Sequence, residues 1–195
     1  MLSLSDGKEL VELVRKTLEY YFKHRELKIR ETRFKEKRGA FVSIHTFPEH
    51  ELRGCIGYSE PIFPLGETVQ KASLSAAFQD SRFPPLIEDE LKKIVFEVSV
   101  LTVPDIIKIK NPKEYLKKIK IGKDGLIIEY GVLYKGLLLP QVPVQYDWDV
   151  KTYLEHLCMK AGLFVDTWLN QKVKIYKFQA QIFMEKKPNG EVIQT

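Results

Sequence analysis

Several features that would assign a protein of this length to a class at once are missing from the sequence. The 195 residues include two cysteines, Cys55 and Cys158, too few for a disulfide framework and too far apart for a CxxC metal module. No apolar run approaches the ~18 residues of a membrane span, and the first residues lack the basic and apolar regions of a signal peptide. The sequence therefore predicts a soluble protein of the reducing cytoplasm with no membrane partner.

Motifs for phosphate and metal binding are missing too. Gly131 and Gly136 fit neither the GxGxxG nor the GxxxxGK pattern of nucleotide-binding loops. The histidines and carboxylates between residues 45 and 51 lack a ligand spacing such as HExxH. No metal site is expected, and the sequence leaves any cofactor unknown.

What is present is a globular composition with a small excess of positive charge. Apolar residues make up 44% and charged residues 29%, which excludes a disordered chain and allows a sizeable core. The formal net charge of +5 is a weak indication of an anionic partner. Lysines are densest between residues 108 and 123, which makes nucleic acid a candidate partner, but Tyr115 is the single aromatic residue there. Such a charge run is more often a solvated surface.

Hydrophobic periodicity predicts the same order of elements in both halves of the chain: helix, two strands, helix, strand. Asp6 and Glu9 are predicted to form the capping box of the first helix, and the last strand is predicted to run unbroken from Lys172 to Glu185. The predicted elements are 6–25, 39–45, 52–58, 65–78 and 95–103, then 112–119, 125–130, 132–139, 149–161 and 172–185. An internal duplication offset by about 80 residues is one interpretation, and chance agreement of a common element order is the other.

This element order predicts an α+β fold with mainly antiparallel sheets and flanking helices. We expect a single domain over residues 1–195, composed of approximate halves 1–105 and 106–195 with a cleft between them. Clefts between lobes are where ligand sites usually form.

The segment Leu52-Arg-Gly-Cys-Ile-Gly57 carries the strongest indication of chemistry. Strand alternation places Arg53 and Cys55 on one face and the apolar residues of the segment on the other. If the apolar faces of this strand and the preceding one join the same core, Ser43 and His45 share the face of Arg53 and Cys55.

Cys55 is the candidate nucleophile on that face. The guanidinium of Arg53 would lower the pKa of the thiol and bind an anion, and His45 would accept the thiol proton. Gly54 and Gly57 would let a substrate or another backbone approach closely. The alternative is that Cys55 is an inert, buried small hydrophobe, as free cysteines usually are.

Two further segments hold polar residues that suit a ligand. Asp80 and Arg82 follow a predicted helix, where the pair would bind a carboxylate or phosphate or, more commonly, lock the turn. Gln141 begins a polar and aromatic loop, 141–148, which either lines a binding cleft or caps the next helix. Cys158 lies on the apolar stripe of a predicted helix and is expected to belong to the core.

Seven short segments, in order over nearly the whole chain, have counterparts in a known family. They are residues 38–44, 52–57, 76–86, 97–102, 122–128, 136–142 and 148–163. Together they resemble the AMMECR domain family, whose characteristic hexapeptide stands intact at 52–57. The departures are Ser81, where many relatives have proline, and Val144, at a variable position.

The resemblance implies an α+β fold of two unequal subdomains with a cleft, and it implies no established activity. It places Arg53, Gly54, Cys55 and Gly57 in a functional cleft. Relatives occur beside Memo-type proteins, which resemble non-haem dioxygenases, and radical-SAM proteins, which suggests a shared pathway or complex. Three functions stay open: a small-molecule enzyme or ligand binder at Cys55, a protein-interaction adaptor using the same face or residues 141–148, and an RNA-binding module using the 108–123 lysines.

Overall fold

Two antiparallel sheets with flanking helices form the fold, given by a computed structural model that describes residues 1–195. The predicted α+β class is confirmed. The helices are α1 (Leu4–His24), α2 (Leu65–Phe78), α3 (Tyr115–Lys118), α4 (Gln141–Gln145) and α5 (Val150–Lys160). The strands are β1 (Ala40–Thr46), β2 (Leu52–Tyr58), β3 (Ile94–Leu101), β4 (Asp105–Ile106), β5 (Gly125–Tyr130), β6 (Tyr134–Leu138), β7 (Lys174–Phe178), β8 (Ala180–Glu185) and β9 (Val192–Gln194). None of the helices combines the length and the apolar composition that a membrane span requires.

The chain folds as two units. Unit 1 comprises Met1–Thr102 and Gln181–Thr195, and unit 2 comprises Val103–Ala180. The predicted halves, 1–105 and 106–195, differ from these units in that residues 181–195 lie with unit 1.

Unit 1 contains a five-stranded sheet with the strand order β2-β1-β3-β8-β9. Helices α1 and α2 pack against this sheet. Leu10, Val14 and Leu18 on α1, at helical spacing, and Val42 and Ile44 on β1, two residues apart, are completely buried in the same core. The remaining face of β1 is thereby left to the intervening residues, among them Ser43.

Unit 2 contains a four-stranded sheet with the strand order β4-β7-β5-β6, against which α5 packs. Leu126 and Ile128 of β5 meet Leu157 and Cys158 of α5 in a core where all four are completely buried. The expectation that Cys158 belongs to the core is confirmed.

The first helix begins earlier than predicted. Ser3 is its N-cap: the Asp6 amide donates to Ser3 Oγ (3.2 Å), and the Ser3 amide donates to the Asp6 carboxylate (2.7 Å). The predicted Asp6–Glu9 capping box is therefore wrong. Glu9 instead accepts a hydrogen bond from Arg33 (2.8 Å), a partner that sequence spacing does not reveal.

The last predicted strand is two strands. β7 ends at Phe178 in the sheet of unit 2, and β8 begins at Ala180 in the sheet of unit 1. The prediction of one unbroken strand over 172–185 is therefore wrong. Apolar and polar residues alternate in the sequence without a break at Gln179, and this alternation does not encode which sheet a strand joins.

Candidate functional site

A row of three residues runs over three neighbouring strands of the unit 1 sheet, starting at its edge strand β2. Ser43 on β1 lies opposite Cys55 on β2 and opposite Glu97 on β3. Ser43 Oγ donates a hydrogen bond to Cys55 Sγ (3.2 Å), so the predicted shared face of Ser43 and Cys55 is confirmed. We call Cys55, Ser43, Glu97 and His45 the thiol face.

His45 is the member of the thiol face whose pairing with β2 differs from the prediction. A register shift between Ile44 and His45 places His45 opposite Leu52, whereas strict alternation would have paired it with Arg53. Its Nε2 is buried and has no hydrogen-bond partner. The charge of the His45 ring lowers the pKa of the Glu97 carboxyl. His45 therefore interacts with Glu97, whereas the register does not pair it with Arg53.

Glu97 is the residue that the sequence analysis missed. Burial raises the pKa of its carboxyl, and the charge of His45 and a hydrogen bond from Ser99 oppose that rise. A signal for it existed: Phe96, Val98 and Val100 are buried on β3, and Glu97 and Ser99 alternate with them as half-buried polar residues.

The pKa of Cys55 moves in the direction opposite to the expected one. Burial of this half-buried residue raises the pKa of the thiol, and the hydrogen bond from Ser43 and the charge of Arg82 only partly counteract that effect. The negative charges of Glu97 and Asp80 raise it further. In the free protein, Cys55 is therefore more firmly protonated than an exposed cysteine.

Arg53 binds partners other than the thiol. Its Nε and Nη2 donate to the two carboxylate oxygens of Glu90 (2.7 and 3.1 Å), and its Nη1 donates to the Pro84 carbonyl (2.9 Å). The expectation that Arg53 lowers the pKa of Cys55 is wrong, because a carboxylate 37 residues along the chain engages its guanidinium. Arg53 holds β2 to the segment that precedes β3, and its role as an anion clamp for a substrate stays a prediction.

Asp80 and Arg82 bind the backbone amide and carbonyl of Cys55 on the edge strand β2. The Asp80 carboxylate, whose side chain is 4% exposed, accepts the Cys55 amide (2.9 Å) and Arg82 Nη2 (2.8 Å). Arg82 Nη2 also donates to the Cys55 carbonyl (3.3 Å). Hydrogen bonds from Arg82, and the one from the Cys55 amide, hold the pKa of Asp80 well below its usual range. The pair thus locks the turn after α2 onto β2, and its role in binding a carboxylate or phosphate stays a prediction.

Both predicted glycines of the hexapeptide have packing partners. A Cβ at Gly54 would lie 2.4 Å from the Ala76 carbonyl oxygen, so glycine is required for β2 to approach α2 closely. A Cβ at Gly57 would lie 2.4 Å from the ring of Phe41. A role of either glycine in contacting substrate stays a prediction.

Two other predicted regions lie in unit 2. Gln141 is the exposed first residue of α4, and its role in binding stays a prediction. In the lysine-rich segment 108–123, Tyr115 is 2% exposed and packs in the core, so it is not available to stack on a base. That burial weakens the RNA hypothesis, which stays a prediction.

The match to known proteins extends over most of the chain. The family model described as AMMECR1 matches residues 11–183. The chain belongs to this family. The AMMECR1-type relatives include "Protein MJ0810" of Methanocaldococcus jannaschii, 56% identical over 100% of this chain and 97% of its own length. A protein of Aquifex aeolicus is 46% identical over 96% of each chain.

A solved structure agrees with the fold. The crystal structure of the uncharacterized protein PH0010 from Pyrococcus horikoshii superimposes with a TM-score of 0.81 at 44% identity, covering 97% of this chain and 96% of that one. The names of these AMMECR1 relatives state no activity. What the protein does must therefore be inferred from the site itself.

Proposed function

We propose that this AMMECR1 protein is an enzyme or binder of a small molecule, with its site on the thiol face of unit 1. The observation that carries the proposal is the row Cys55–Ser43–Glu97. A thiol, a hydroxyl and a carboxyl on three neighbouring strands, with strands about 4.8 Å apart, span the size of a small substrate.

Each group on this face has a chemical role in the proposal. Cys55 is the nucleophile or the contact to the ligand, and Ser43 stabilises its thiolate through the hydrogen bond to sulfur. In its neutral form, His45 accepts the thiol proton at its buried Nε2, which has no partner within the protein. Glu97 donates a proton, because burial keeps its carboxyl neutral to a higher pH than that of an exposed glutamate.

The raised pKa of Cys55 changes how its reactivity should be measured. An unperturbed thiol titrates at about pH 8.5, so alkylation of Cys55 by iodoacetamide should keep accelerating above that pH. Cys158 is completely buried and its pKa is raised to about 11. We expect mass spectrometry of the native protein to find Cys55 alkylated much faster than Cys158.

Variants separate a functional thiol from an incidental one. Glu97→Gln removes a negative charge that raises the pKa of Cys55 and should shift the rate profile to lower pH. Ser43→Ala removes a stabilising hydrogen bond and should shift it to higher pH. Glu88→Gln, at an exposed residue outside the face, is the matched control. Equally slow labelling of both cysteines at every pH would contradict a nucleophilic role for Cys55.

The second candidate is a protein-interaction adaptor using residues 141–148. In that segment Tyr146 is 60% exposed and stacks on Trp148 (ring centroids 5.2 Å apart), which stacks on His156 (3.7 Å). If Memo-like or radical-SAM proteins are the partners, as the family resemblance suggests, Tyr146→Ser should abolish their pull-down by the purified protein and Cys55→Ser should not. The reverse pattern would place such contacts at the thiol face.

A further inference from the structure

The turn between β5 and β6 exposes apolar residues that the fold does not need. Val132 is 100% exposed and Leu133 is 85% exposed. Such turns favour glycine, asparagine and aspartate, and Gly131, with φ at 62°, already supplies the left-handed residue. Neither side chain is buried in the core, and departures of this kind from local rules are expected at functional sites.

These residues belong to a larger apolar surface within unit 2. Tyr130 and Tyr134 are cross-strand neighbours with ring centroids 6.4 Å apart. They line a groove of about 610 Å³ together with Val132 and Leu133, and also a second groove of about 440 Å³ that includes Phe164, itself 85% exposed. We call Tyr130, Val132, Leu133, Tyr134 and Phe164 the hairpin patch. Contiguous exposed apolar surface of this kind marks an interaction site.

The charge around the hairpin patch indicates what binds there. Lys172 and Lys174 line the first groove and are exposed. Glu129 lies opposite Lys174 across the strands, but its carboxylate pairs with Lys135 (3.5 Å). Asp166 lines the second groove. The first groove thus has an excess of positive charge, which attracts an acidic partner.

The charge of the two units points the same way. Unit 2 contains 13 lysines, no arginine and eight acidic residues, whereas unit 1 contains 18 basic and 18 acidic residues. The whole formal charge of +5 therefore belongs to unit 2. A second copy of the chain, docked through the same patch, would place Lys172 and Lys174 near their equivalents, and like charges oppose such a contact.

We propose that the hairpin patch is the docking surface for an acidic segment of another protein, whose aromatic or aliphatic side chains cover Val132, Leu133 and Phe164 while its carboxylates face Lys172 and Lys174. This proposal does not depend on Cys55 or on the thiol face.

The test is selection of peptides from a random display library on the immobilised full-length protein. Enriched peptides should combine Asp and Glu with Phe, Trp, Leu or Ile. Their affinity, measured by fluorescence anisotropy, should fall about tenfold or more in Val132→Ser/Leu133→Ser, a change to polar residues that a turn accommodates. Lys172→Glu/Lys174→Glu should also lose these peptides. Ile62→Ser and Lys160→Glu, at exposed residues outside the patch, are matched controls and should bind normally.

Several results would overturn the proposal. They are a selection without enrichment, enrichment of peptides that lack acidic residues, and equal binding by the hairpin variant. Sedimentation velocity that shows a dimer abolished by Val132→Ser/Leu133→Ser would assign the patch to a second copy. Binding to phosphatidylserine vesicles that is lost in the same variant, with no peptide binding, would assign it to a membrane surface.

Discussion

Replacing Asp80 with alanine removes the carboxylate that holds the backbone of Cys55 in place. That carboxylate is almost fully buried and accepts the Cys55 amide at 2.9 Å. A hydrogen bond to a charged group contributes about 1.5–3 kcal/mol. The ion pair to Arg82, whose side chain is 56% exposed, adds about 0–1 kcal/mol. Asp80→Ala should therefore lower the free energy of opening β2 by about 1.5–4 kcal/mol.

Asp80→Asn separates the backbone hydrogen bond from the charge. Asparagine keeps an oxygen acceptor for the Cys55 amide, so Asp80→Asn should lower the free energy of opening β2 by about 1 kcal/mol. Because the pKa of Asp80 is lowered in the folded protein, the stability due to its charge is fully present above about pH 3.9, the value for an unfolded chain. It is lost as the pH falls further, so the difference between wild type and Asp80→Asn should shrink in acid.

Hydrogen exchange read by mass spectrometry is the suitable assay. Both tryptophans, Trp148 and Trp168, lie in unit 2, so tryptophan fluorescence would not report on β2. The amides of β2 should exchange faster in Asp80→Ala, and those of β5 and β7 in unit 2 serve as the internal control. An opening free energy of β2 within about 0.5 kcal/mol of wild type, or equal losses in the alanine and asparagine variants, would refute this reasoning.

Two further predictions concern the stability of unit 1. Arg15 and Glu185 form a buried ion pair (2.6 Å). Glu185→Leu should therefore lower the free energy of unfolding by about 3–5 kcal/mol, measured by urea unfolding followed by far-UV circular dichroism, and adding Arg15→Met should recover part of the loss. A double variant no more stable than Glu185→Leu would show that the unpaired charge is not the cause. Gly54→Ala would place a methyl group 2.4 Å from the Ala76 carbonyl and should cost about 1–3 kcal/mol in the same assay, and an unchanged midpoint would contradict the close approach of β2 to α2.

The features that the sequence predicted correctly depend on neighbouring residues or on a repeated pattern. The helix predicted over 149–161 is α5 (Val150–Lys160), and its N-cap Asp149 accepts the Thr152 amide (2.7 Å), a contact that needs three residues of chain. The shared face of Ser43 and Cys55 followed from alternation, because burying both apolar faces in one core excludes a one-residue slip between the strands.

The features that the sequence did not predict depend on contacts between distant segments. Arg53 binds Glu90, 37 residues away, and no local pattern selects that carboxylate over others. Glu97 reaches the thiol face because β3 joins β1 on the side opposite to β2, and strand order is not encoded in alternation. The register shift that moves His45 likewise has no marker in the hexapeptide.

The claim that the thiol face takes up a small molecule is tested most directly by protection of Cys55. The native protein is treated with a thiol reagent and an amine reagent in the presence of small-molecule fractions from a cell extract. Mass spectrometry then gives the rate of alkylation at Cys55 and the rate of modification at exposed lysines. We predict that at least one fraction slows alkylation of Cys55 by about tenfold, leaves the lysines unaffected, and loses this effect with Glu97→Gln. If every fraction leaves the Cys55 rate unchanged, the thiol face is not a ligand site.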